Sequence, residues 1–249
     1  MSATTEAEIA AETVTPPVAV AAARWPETRY SIALLVMTAA TGAVDAVSYL
    51  ALDRVFTGNM TGNVLFIAFG VIGIDDIPVL NNLVALLTFM LGAVVGSRII
   101  RRTAETTHLP LRSIVCLVGT TTGAGVLALV WLFVGELTEP MFIVITGILA
   151  FLLGAQAASV KPIGIRDLST VVVTMTMVNL STDSRLAGGR GKDWLRRVSA
   201  ILAMGLGALL AALLCTRVGG PIALLAATGL MAVGVVLLAL ARRRELALL

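Results

Sequence analysis

Apolar residues run along this chain in long, nearly unbroken stretches, with polar residues gathered in short clusters between them. Charge-poor stretches at 30–52, 77–97, 113–135, 140–160, 198–216 and 218–241 each reach the roughly 20 residues that an apolar helix needs to cross about 30 Å of hydrocarbon. They predict six transmembrane helices. Two other segments break the pattern. The first, 57–73, opens Thr57-Gly58-Asn59-Met60-Thr61-Gly62-Asn63 before an apolar run, and the second, 171–187, contains Thr174-Met175-Thr176-Met177-Val178-Asn179-Leu180-Ser181. Each is too short or too polar to span a membrane comfortably. Both are expected to be re-entrant or broken polar helices lining a polar site.

Short matches relate the two halves of the chain. Gly42-Ala43 recurs as Gly154-Ala155 at an offset of 112, Thr57-Gly58-Asn59-Met60 as Thr174-Met175-Thr176-Met177 at 117, and Leu91-Gly92-Ala93 as Leu206-Gly207-Ala208 at 115. Their shared order predicts two membrane repeats, 30–135 and 136–244, each made of span, interrupted element, span and span. A tail at 1–29, rich in Ala, Thr and Glu with Pro16-Pro17, precedes them and reads as disordered. Three crossings per half turn the second half over relative to the first. Many secondary transporters have this inverted arrangement, with sites formed near the midplane by broken helices.

Composition sharpens the class. With 58% hydrophobic and 13% charged residues, against about 25% charged in soluble domains, the chain reads as an all-α integral membrane protein whose first partner is the lipid bilayer. The net charge of +3 raises the question of nucleic acid, but the basic residues sit beside span ends rather than in one patch, so topology explains them and no nucleic-acid partner is expected. If both polar segments turn back on themselves, both termini are cytoplasmic and only Arg54 and Arg217 of the 18 Lys and Arg residues lie outside. If both segments cross, 10 lie inside against 8 outside. The six-span arrangement obeys the positive-inside bias and is preferred.

The candidate chemistry is polar and largely uncharged. Gly58 and Gly62 let the backbone bend, while Thr57, Asn59, Thr61 and Asn63 supply neutral donors and acceptors, as do Thr174, Thr176 and Asn179 in the second element. A helix beginning near Thr61 aims free N–H groups into such a site, which suits an anion or a polar oxygen. Asp45 is the one acid of the first span. It either faces the bundle as a proton or cation partner, or reaches the interface. With Gln156 near the end of the fourth span, these residues form the expected substrate site. The competing reading is that the polar groups only join helices by hydrogen bonds.

Other residues change the picture little. Cys116 and Cys215 fall inside spans and carry no disulfide or metal-ligand spacing, and His108 sits in a short basic loop beside Pro110. No cofactor is expected. There is no His-Glu-x-x-His motif, no acid pair at useful spacing and no nucleophile–base set, so no enzyme is expected either. Small-residue faces such as Gly92-Ala93-Val94-Val95-Gly96 pack helices within one chain or between copies, which leaves a homo-oligomer open. The expected function is a small-solute transporter or channel-like permease for a small polar solute or ion. The rival is a non-transporting membrane scaffold or regulatory subunit.

Gly42-Ala43-Val44-Asp45-Ala46-Val47-Ser48-Tyr49-Leu50, the stretch from Phe56 to Asn63, and Thr170-Val171-Val172-Val173-Thr174 with Asp183-Ser184-Arg185-Leu186 together resemble the YoaK-like family of bacterial polytopic membrane proteins, a domain of unknown function. The resemblance covers roughly residues 30 to 242. It implies a multi-pass inner-membrane protein, with about six helices and no settled activity. This chain departs from the family at Val178-Asn179, where the second motif often carries Thr-Gly.

Overall fold

A computed structural model describes residues 27–74, 76–101, 109–165, 173–191 and 193–247. Among them the regular elements are helical: α1 Glu27–Ala51, α2 Met60–Val71, α3 Val79–Arg101, α4 Leu111–Val134, α5 Glu139–Val160, α6 Val173–Thr182, α7 Trp194–Val218 and α8 Gly220–Leu246, with 3-10 turns at Lys161–Ile163 and Arg185–Ala187. Six of these eight helices are long and apolar enough to cross a membrane. At 1.5 Å rise per residue, α2 and α6 reach only about 18 and about 15 Å, short of the hydrocarbon thickness. The tail before residue 27, Asp75, His108 and the stretch 166–172 lie outside the described residues.

The helices overrun the charge-poor stretches. α3 continues through Arg98 to Arg101, α7 takes Arg196 and Arg197 into its opening turns, and α8 includes Arg242, Arg243 and Arg244. Long basic side chains carry their charge to the interface or, as at Arg197, pair it with a nearby acid while the backbone stays helical, so a count of uncharged residues underestimates helix length.

Polar contacts join helix ends at one end of the bundle. Tyr30 at the start of α1 donates to Glu245 at the end of α8 (2.9 Å). Arg242 of α8 donates to the carbonyl of Leu109, just before α4 (2.8 Å), and Tyr30, Leu109, Val160, Ile163, Ala200 and Ala241 share an apolar cluster there. Leu52, Val55, Trp131, Ala223 and Leu224 belong to a second cluster at the other end. Here Asn81, at the start of α3, donates to the Leu52 carbonyl at the end of α1 (3.4 Å). The chain between α1 and α3, α2 included, therefore leaves and rejoins the bundle at the same end.

Of the six long helices, α1 and α5 are the most buried, α3 and α7 the least, and α4 and α8 fall between. α7 packs along α1 and α3 along α5, while α8 lies against both α1 and α4. Glycine sets both of the closest crossings. A Cβ at Gly207 would run into the Ala39 carbonyl oxygen and one at Gly42 into that of Met204. A Cβ at Gly92 would run into the Phe151 carbonyl oxygen and one at Gly154 into that of Phe89. In lipid, apolar surface gains little by being buried, so close backbone approach is what lets packing contacts accumulate.

Candidate functional site

The segment between α1 and α2 reverses direction at Asp53 and Arg54, whose positive φ angles (68° and 53°) turn the chain out of the helix. It then folds back beside Asp45. The Asp45 Oδ1 accepts hydrogen bonds from the N–H groups of Gly58 (2.6 Å) and Thr57 (3.1 Å), with the Asn59 N–H close by. Ser48 Oγ donates to the Asp45 carbonyl (3.1 Å), and Thr57 Oγ1 donates to Ser48 Oγ (3.5 Å). Asp45, Ser48 and Thr57 are all buried. Gly58 fits because it has no side chain: a Cβ there would sit 3.1 Å from Thr41 Cγ2 and 3.2 Å from Asp45 Oδ2.

Asn63, in the first turn of α2, holds the same segment from the other side. Its Oδ1 accepts from the Phe56 N–H (2.9 Å) and its Nδ2 donates to the Phe56 carbonyl (2.6 Å), a two-point clasp on one residue. Asn59 caps α2, its side chain accepting from the Gly62 N–H (3.4 Å). The rings of Tyr49, Phe56 and Phe66 pack together at centroid distances of 5.1 Å between Tyr49 and Phe56 and 5.7 Å between Phe56 and Phe66. Gly62 lies under Phe56, where a Cβ would come within 2.8 Å of the ring. Asn63→Ala removes both clasp bonds, and is expected to cost roughly 1–3 kcal/mol in thermal unfolding of the detergent-solubilised protein. A change within experimental error would show that the clasp contributes nothing.

Asp45 Oδ2 has no hydrogen-bond partner among the described residues. Asp45 helps to line a cavity of about 460 Å³, bounded by Gly42, Tyr49, Phe56 and Asn59 on one side and by Met204, Ala208, Leu209 and Ala212 of α7 on the other. The first polar segment thus supplies main-chain dipoles to a carboxylate inside α1 and leaves one of its oxygens uncommitted.

The remaining predicted residues are placed less centrally. Thr61 is exposed on α2, and Gln156 is buried on α5 with its Oε1 unpartnered among the described residues. In α6, Thr176 is buried, Thr174 is exposed and Asn179 is half-buried. The stretch Thr174-Met175-Thr176-Met177 is already helical, whereas its echo at Thr57-Gly58-Asn59 is not, so that match reflects composition more than backbone shape. The buried Arg197 donates to the Asn179 carbonyl (2.8 Å) and pairs with Asp183 (2.6 Å), tying α6 and the turn after it to α7. Arg197 and Asp183 border a larger cavity of about 880 Å³ that is also lined by Arg185 and Trp194.

Sequence reasoning missed the aromatic wall and the Arg197–Asp183 pair. Tyr49 lies four residues after Asp45, one helical turn away on the same face, and that spacing is a readable signal. Phe56 and Arg197 reach their partners only through the fold.

Six long apolar helices, two short ones and a carboxylate buried inside a span define a polytopic α-helical membrane protein. The chain belongs to the family described as "Protein of unknown function (DUF1275)", whose pattern matches residues 33–237. It is also similar to the UPF0700 transmembrane protein YoaK of Bacillus subtilis (strain 168), with 31% identity over 195 residues that cover 73% of this chain and 81% of that protein. No solved structure matches.

Proposed function

We propose that this protein is a permease of the bacterial inner membrane for a small polar solute or ion, built from two inverted halves with α2 and α6 re-entrant from opposite faces. The glycine crossings support the halves. Offsets of 112 between α1 and α5 and of 115 between α3 and α7 turn the Gly42–Met204 contact into Gly154–Phe89, and the Gly207–Ala39 contact into Gly92–Phe151. The order of burial follows the same pairing of helices. α1 starts at the end of the bundle where α5 finishes, which is what an inverted pair requires. That end also carries Arg29, Arg98, Arg101, Lys161 and Arg242, so the positive-inside bias assigns it, with both termini, to the cytoplasm.

The observation that carries the transport reading is Asp45. Ionisable groups inside spans are costly and mark solute or ion pathways, and this one keeps an unpartnered oxygen beside a cavity of a size suited to small molecules. Proteoliposome uptake tests the proposal. Flux of at least one charged or polar solute is expected above that of protein-free vesicles, and Ala208→Phe, which fills the cavity, should suppress it. Absence of flux across a panel of cations, anions and neutral solutes, or flux that Ala208→Phe leaves unchanged, would argue against it.

A further inference from the structure

The first polar segment has been turned into the reverse of an anion site. Its N–H groups at Thr57 and Gly58 already hold Asp45, and a second anion would meet the carboxylate's repulsion in a low-dielectric wall. No cationic side chain among the described residues pairs with Asp45. Its neighbours are backbone dipoles. Tyr49 and Phe56, whose rings stack on one another, line the same cavity, and Ala208, Leu209 and Ala212 complete an apolar wall. Hard inorganic cations take six or more oxygen ligands, or keep several of their waters, and one carboxylate oxygen on an apolar wall is a poor substitute. An uncommitted carboxylate oxygen, aromatic rings and an apolar remainder suit an organic ammonium ion instead.

We infer that the cavity between α1 and α7 binds a small organic cation with an apolar body, its ammonium group at Asp45 Oδ2 beside Tyr49 and Phe56 and its body along Ala208 and Leu209. This deepens the permease reading, on which it rests for the claim that such amines are cargo. Leu50 and Leu209, both exposed, stand at the rim of the cavity, which gives its mouth an apolar edge suited to an amphipathic guest.

Isothermal titration of the purified full-length protein in detergent tests the site, with benzyltrimethylammonium as the cationic probe and benzyl alcohol as the neutral one. Saturable binding of the cation is expected, weakened about tenfold or more by Asp45→Asn and several-fold by Phe56→Leu. Ala208→Phe, which obstructs the cavity and leaves the hydrogen bonds of Asp45 in place, should abolish binding, and it decides the matter if Asp45→Asn does not fold. Equal affinity for benzyl alcohol, no saturable binding, or binding that Ala208→Phe leaves intact would overturn the inference. Uptake in proteoliposomes separates the two claims. Cation binding without flux of any solute supports the site and overturns the permease, whereas flux of other solutes without cation binding overturns the cation class and leaves the permease standing.

Discussion

Adding a single methyl group at Gly207 is expected to destabilise the protein by about 1–3 kcal/mol, toward the upper end because the obstacle is a backbone oxygen that moves only with its helix. The new Cβ runs into the Ala39 carbonyl, so α7 must lift away from α1. For a chain of this size each kcal/mol shifts the melting temperature by roughly 2–4 °C, which puts the fall for Gly207→Ala at about 4–12 °C in detergent. Gly205→Ala is the matched control. Nothing lies within 4 Å of its added Cβ, so the higher helix propensity of alanine leaves its melting temperature unchanged or slightly raised. Gly92→Ala, whose Cβ meets the Phe151 carbonyl in the same way, should fall as far as Gly207→Ala. A large fall for one and none for the other would break the equivalence of the two crossings.

Asp45 both holds the 57–58 segment and places a charge beside the cavity, and two substitutions separate these roles. Asn keeps an oxygen that can accept from the Thr57 and Gly58 N–H groups. Asp45→Asn is therefore expected to melt close to wild type while losing about tenfold or more of its flux, a change of roughly 1.4 kcal/mol in the rate-limiting barrier. Alanine removes the acceptor and leaves two buried donors without it, so Asp45→Ala should lose about 3 kcal/mol or more of stability as well as the flux. Equal destabilisation by both variants would make the charge structural. Undiminished flux in Asp45→Asn would remove Asp45 from the transport path.

The six long helices could be read from the sequence because apolar length alone decides whether a segment can cross lipid. Their ends could not, since Arg98 and Arg101 stay helical with exposed side chains, and Arg196 and Arg197 stay helical with their charges paired to Asp193 and Asp183. The small-residue matches at 42/154 and 92/207 were legible for a physical reason. Each marks a point where only glycine fits against a backbone carbonyl, so packing itself dictates the residue.

The site was legible in part. Asp45 stands out as an acid in an apolar run, but the groups that hold it are backbone N–H groups, which look alike in every residue. Asn59 and Asn63 read as solute ligands, whereas their carboxamides are engaged with the chain's own backbone at Gly62 and Phe56. The amide end of α2 read as suited to an anion or a polar oxygen, and the sequence does not reveal that the N–H groups of Thr57 and Gly58 just before it already hold Asp45. Asp183 has its partner, Arg197, fourteen positions away on the next helix, a separation that no local spacing signals.

Membrane-impermeant thiol labelling is the most direct test of the inverted halves. With Cys116 and Cys215 first replaced by alanine, single cysteines go at Asp76, exposed in the turn after α2, and at Leu186, fully exposed in the turn after α6. In right-side-out vesicles Asp76→Cys is expected to label at once and Leu186→Cys only after the membrane is permeabilised. Labelling of both positions from the same face would contradict the opposed orientation of α2 and α6.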